Sequence, residues 1–197
     1  MILLIGFIIS LTACSVKFDA SGYVKACLDA AFHEEYESYA EFVDSTVEEA
    51  ETFFYEGNKQ NITNEIDSLE DITVTEEQSE EYLNLIRNCK KLTKYEVKSA
   101  KETETGYEVT VLINPVNVYK EFKKGIEDSY IQAANEDRLN EKTIFPIMLE
   151  FLNKCITEAE YEDTVEFILH IEQNGDSVWS IPQDELYELE ELLLPRS

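Results

Sequence analysis

Hydrophobic spacing changes repeatedly along this chain, and those changes limit the class of fold it can adopt. From Val24 to Cys89 apolar residues recur at intervals of three and four, the spacing of one face of an α-helix. At Tyr95 the interval drops to two. Tyr95 and Val97 open one strand, and Tyr107, Val109, Val111 and Ile113 form one face of the next. Helical spacing returns at Val118, Phe122, Ile126, Tyr130 and Ala133, and alternation again at Val165, Phe167, Leu169 and Ile171. This order predicts an α+β domain, with N-terminal helices packed on a curved four-stranded antiparallel sheet and a two-helix insertion between the second and third strands. The strands are expected near 94–103, 107–114, 161–173 and 177–182, with Val165, Phe167, Leu169 and Ile171 facing the helices.

Turn and cap residues set the boundaries. The first helix is expected to run unbroken from Ser21 to Asp44. Ser45 with Glu48 makes a capping box for a second helix, which should continue past Gly57 along Ile62 and Ile66. Thr75 with Gln78 repeats that signature before a third helix ending near Lys91. Gly106 turns the chain between the first two strands, and Pro115 stops the second because it cannot donate to a ladder. Pro146 fits the first turn of the helix that carries Met148, Phe151 and Leu152. Asn174-Gly175 is a hairpin signal, and an acidic helix over 184–194 places Leu186, Leu189 and Leu193 on one side.

Ahead of these elements, residues 2–13 form an apolar run that closes on Cys14. The run falls short of the roughly 20 apolar residues of a spanning helix and suits a secretory h-region. Leu11, Thr12, Ala13 and Cys14 resemble the lipobox of bacterial lipoproteins, in which a Leu, two small residues and an obligatory Cys direct diacylglyceryl transfer to the thiol and cleavage just before it. That resemblance implies a signal peptide over 1–13, a lipidated Cys14 with a tether over 14–17, and a single domain over 18–197 on the extracytoplasmic face of the cell membrane. No Lys or Arg precedes the apolar run, so a start codon further upstream is expected. The competing assignment is a buried apolar strand or helix, against which stands the abrupt change to polar composition after Cys14.

The chain carries 42 acidic and 16 basic residues, a formal charge of −26. Such a surface repels phosphate backbones and anionic headgroups, which excludes nucleic acid as an expected partner and leaves the lipid on Cys14 as the membrane contact. With 44% apolar residues the chain is nevertheless too core-rich to be disordered. Cys27, Cys89 and Cys155 each fall on an apolar stripe and read as buried free thiols. None belongs to a Cys-x-x-Cys pair, and His33 and His170 stand apart, so no metal or other cofactor is expected. Asn174-Gly175-Asp176 is better read as a turn than as a Ca²⁺ loop. Asn61-Ile62-Thr63 matches a glycosylation sequon that carries no meaning in a bacterial lipoprotein.

Together with the lipobox, several segments resemble the Gram-positive lipoproteins of unknown function built on a cystatin-like, nuclear-transport-factor-2-like domain. They are Phe18-Asp19-Ala20-Ser21-Gly22-Tyr23-Val24 with Leu28-Asp29-Ala30, Glu48-Glu49-Ala50, Tyr95-Glu96-Val97 with Gly106-Tyr107-Glu108-Val109, and the turn from Gly175 to Trp179. The resemblance implies a cone whose mouth can hold a small molecule or a protein partner, without naming it, because such a scaffold hosts unrelated functions. Two readings follow: a non-catalytic, membrane-anchored binding or interaction module, or a small-molecule enzyme using the cone. Glu166, His170 and Glu172 share one strand face by alternation, and Tyr95, Tyr107 and Trp179 are candidates to line the cone. The charge imbalance predicts that the purified protein does not bind duplex DNA or anionic vesicles at physiological salt; saturable binding to either in a sedimentation assay would contradict it.

Overall fold

A computed structural model describes residues 9–10, 18–69, 72–173 and 178–196. In chain order it contains β1 (Ile9–Ser10), α1 (Ala20–Leu28), α2 (Glu37–Phe42), α3 (Val47–Asp67), α4 (Glu76–Lys91), β2 (Lys94–Glu102), β3 (Gly106–Asn114), α5 (Val118–Asn135), α6 (Ile144–Thr157), β4 (Val165–Gln173), β5 (Val178–Ser180) and α7 (Gln183–Leu193). The strands form one open antiparallel sheet in the order β1-β5-β4-β3-β2. The fold is thus α+β, with α5 and α6 lying between β3 and β4 in the chain.

The alternation in β3 does what it predicts: Val109, Val111 and Ile113 are fully buried, and Tyr107 nearly so. Leu169 and Ile171 of β4 continue that face, because Val109 pairs with Leu169 and Tyr107 with Ile171. Helices α1 and α7 cover it. α1 contacts β2 and β3, and α7 contacts β3 and β4, contributing Tyr23, Val24, Leu28, Leu186, Leu189 and Leu193 to one core. The Val116 N–H donates to the Leu193 carbonyl at 3.0 Å, which ties the end of α7 to the segment after β3. Gly106 sits where a Cβ would come within 1.8 Å of the Ile171 carbonyl oxygen, so only glycine permits β3 and β4 to pair there.

Several boundaries differ from expectation. The first helix is not continuous: α1 passes into a π-helical turn over Asp29–His33, and Glu34 then adopts a left-handed φ of 60° before α2 begins. The capping box ahead of α3 uses Thr46 and Glu49 instead of Ser45 and Glu48. The Ser45 N–H is already taken, donating to the Ala40 carbonyl at 2.9 Å to close α2. α3 does run through Gly57, and Thr75 and Gln78 do cap α4 reciprocally. β4 begins at Val165, not near 161; Tyr161 forms only a single bridge with Val116.

The helix-facing row of β4 is also shorter than expected. Val165 is 37% exposed and Phe167 half-buried, so the row is only partly covered at the start of that strand. A fifth strand, β1, pairs Ile9 with Trp179 and Ser10 with Val178. It lies within the apolar run; Leu11 to Cys14, and the turn at Asn174-Gly175, lie outside the described residues. The burial gradient along β4 makes a direct prediction. Leu169→Ala should lower stability by about 2–5 kcal/mol, and Val165→Ala by less than about 1 kcal/mol. Equal losses in chemical denaturation would contradict that gradient.

Candidate functional site

The helices away from the sheet enclose a cleft of about 360 Å³, within the size range of small-molecule sites. α3 packs on α4, α4 on α6 and α6 on α5, so α4 and α6 form the floor and α3 and α5 the walls. Gly125 lets the last pair approach, since a Cβ there would lie 2.6 Å from the Phe151 ring. The apolar lining is Ile62, Ile86, Phe122, Ile126, Met148 and Leu152, joined by the rings of Tyr82 and Tyr119. Each falls on the core-facing side of its helix. The cleft is therefore a gap in helix packing, and no strand residue contributes to it.

Polar groups rim this floor. The Tyr82 hydroxyl donates to Glu65 Oε1 at 2.9 Å, which occupies the carboxylate among the lining residues. Lys90, buried beside the cleft, donates from Nζ to Asn58 Oδ1 at 2.7 Å. Glu190 of α7 is also buried. Burial holds its carboxyl above the ordinary carboxylate pKa, with Lys90 and Arg196 opposing, and burial likewise lowers the Lys90 ammonium. Arg196 lies over the Tyr119 ring at 5.4 Å, and desolvation pushes the Tyr119 phenol well above its usual range. Burial raises the Cys89 thiol to about 12, so it is no nucleophile at neutral pH.

A second polar cluster joins the π-helical turn to β2. The Tyr95 hydroxyl donates to Asp29 Oδ1 at 2.9 Å and contacts His33 Nδ1 at 3.2 Å, while His33 Nε2 contacts the Thr93 carbonyl at 3.0 Å. The His33 and Tyr95 rings stack at 5.0 Å, and Lys25 pairs with Asp29. Every member is committed to another, so the cluster fixes α1 to β2, and none of these residues lines the cleft.

The candidates read from sequence are dispersed. Tyr107 and Trp179 meet at 5.3 Å, with Phe18 stacked on Trp179 at 4.8 Å, but Tyr95 belongs to the Asp29 cluster on the other side of the sheet order. The three do not line one cavity, because the face they were expected to open onto is filled by α1 and α7. His170 leaves the acidic row formed with Glu166 and Glu172: its backbone N–H donates to Glu185 Oε2 at 2.7 Å and its Nδ1 lies 2.8 Å from Glu185 Oε1. Glu185 thereby satisfies the β4 edge where β5 has ended. Cys27, Cys89 and Cys155 are buried and free. Cys14 lies outside the described residues. Among the described residues, no helix is long and apolar enough to cross a membrane and no three His, Cys, Asp or Glu side chains gather as metal ligands.

No family model matches the chain, and no curated protein matches it in sequence. Among solved structures, it is similar to the crystal structure of YcdA, a candidate lipoprotein of Bacillus subtilis, with a TM-score of 0.63 at 13% identity. The match covers 89% of this chain and 56% of that one, so the chain spans little more than half the length of its structural neighbour. At that identity the likeness is one of fold.

The raised pKa of Glu190 predicts a pH effect. A carboxyl whose folded pKa lies above its unfolded value of about 4.3 contributes stability that is complete below that value and is lost as pH rises through the folded one. Glu190→Gln, which cannot ionise, should therefore gain stability relative to the wild type as pH is raised from about 4 to 7. A melting-temperature difference between the two that stays flat over this interval would contradict it.

Proposed function

We propose that the chain is an extracytoplasmic lipoprotein, held at the membrane by lipid on Cys14, whose domain is a non-catalytic module binding a small molecule in the cleft between α3 and α5. The observation that carries the binding reading is the cleft itself, preformed and apolar-floored, with its carboxylate engaged by Tyr82. The anchor reading rests on Leu11-Thr12-Ala13-Cys14 after an apolar run too short to span, and the fold neighbour described as a candidate lipoprotein supports it. In this reading residues 1–13, β1 among them, are removed, which leaves the four strands β2 to β5, and residues 14–17 tether the domain. The sheet corresponds to the curved sheet of the cystatin-like, nuclear-transport-factor-2-like lipoproteins, with α5 and α6 as the insertion between its second and third strands.

An enzyme reading has one observation in its favour, the carboxylate of Asp29 beside Tyr95 and His33. Those groups satisfy one another and none borders the cleft, so the binding reading stands ahead of it. The anchor is tested by expression from a start codon that includes any upstream basic residues, followed by fractionation and intact mass. The mature protein should begin at Cys14 with two acyl chains, each buried CH₂ stabilising attachment by about 0.8 kcal/mol. Cys14→Ser should leave the protein uncut or release it from the membrane, with the domain still folded. An unmodified thiol, or a processed Cys14→Ser protein that stays membrane-bound, would contradict the anchor.

A further inference from the structure

Acidic residues outnumber basic ones 42 to 16 in this chain, yet the ionisable lining of the cleft is one carboxylate, Glu65, against two cations, Lys123 and Arg196. The carboxylate is already engaged by the Tyr82 hydroxyl at 2.9 Å. The cations are not used up. Lys123 has no hydrogen-bond or ion-pair partner among the described residues. Arg196 pairs through Nε with the exposed Glu191 at 3.2 Å and through a terminal nitrogen with Glu190 at 4.0 Å. A guanidinium presents five donors in a fork that matches a carboxylate, and surface pairs such as the one with Glu191 are weak. Donors therefore remain for a further acceptor at the rim, directly beside an apolar floor.

We infer that the cleft takes a small amphipathic carboxylate, its apolar body on Phe122, Ile126, Met148 and Leu152 and its anionic head held by Lys123 and Arg196. The proposal rests on the binding reading above and adds the ligand class. A floor of side chains buried on one side and open on the other stabilises an apolar body by area removed from water. Without the head group the same floor has no means of telling an acid from an alcohol. The two cations supply that discrimination, in a chain whose overall field otherwise repels anions, so recognition is confined to the cleft.

Isothermal titration of the full chain with decanoate, decan-1-ol and decylammonium, all below their aggregation concentrations, tests this. Decanoate should bind at one per chain, at least about fivefold tighter than decanol, with decylammonium weakest, since charge-assisted hydrogen bonds are roughly twice as strong as neutral ones. Lys123→Ala with Arg196→Ala should erase the preference for decanoate while leaving decanol affinity unchanged, since both side chains are exposed and lie outside the apolar floor. Binding of decanol without a preference for decanoate, or a preference that survives the double variant, would overturn the carboxylate assignment and leave the binding reading intact. No saturable binding of any of the three would overturn both.

Discussion

Burial of one face of β3 governs how this molecule is built. A strand with Val109, Val111 and Ile113 fully enclosed must be flanked by paired strands and roofed by apolar side chains, and the chain supplies both from far apart in sequence. β2 and β4 pair on either side. α1, from the beginning of the domain, and α7, from its end, lie over the same face, so the domain closes only when its two ends meet on the sheet. At about 1.5–3 kcal/mol for each large apolar side chain taken from water, Tyr23, Leu28, Leu186, Leu189 and Leu193 make this roof a large apolar contribution to the fold. The Val116 to Leu193 hydrogen bond then fixes its register.

The same roof determines where a ligand can go. With α1 and α7 seated, this face of the sheet is covered, and the residues a cone would have offered are packed against others: Tyr107 and Trp179 on Phe18, Tyr95 on Asp29 and His33. Space is left instead among α3, α4, α5 and α6, which pack chiefly on one another. α3 and α5 stand apart across the α4–α6 pair, and the gap between them is the cleft. Buried charge follows from that arrangement as well. Lys90 and Glu190 are enclosed where α4 meets the end of the chain, and their opposed pKa shifts both record desolvation.

The strands and the later helices were legible because their evidence is local. Tyr107 to Ile113 alternates cleanly, Thr75 and Gln78 admit one capping box, and Leu186, Leu189 and Leu193 are spaced for one helical face. Where two local solutions compete, the sequence does not choose. Ser45-Thr46 followed by Glu48-Glu49 contains two capping boxes one residue apart, and the choice falls to Thr46 because the Ser45 N–H closes α2. The break at Glu34 is hidden because Ala31, Phe32, Tyr36 and Tyr39 keep near-helical spacing through the π-helical turn. The cleft and the Asp29 cluster had no local signal: Asp29 and Tyr95 are 66 residues apart, and Asn61, read only as an idle sequon, turns out to line the cleft wall. Lys123 carried no mark in sequence either, since an exposed lysine on an amphipathic helix is ordinary until the opposite wall is in place.

The central claim is that the ligand space lies among the helices and not against the sheet. Hydrogen–deuterium exchange of the full chain with and without saturating decanoate measures this directly. Slowed exchange confined to α3, α4, α5 and α6, with β2, β3 and β4 unchanged, is the result expected of a cleft between helix walls. Protection along β3 and β4 with α5 and α6 unaffected would contradict it, and would mean that α1 and α7 move aside to open the face they cover.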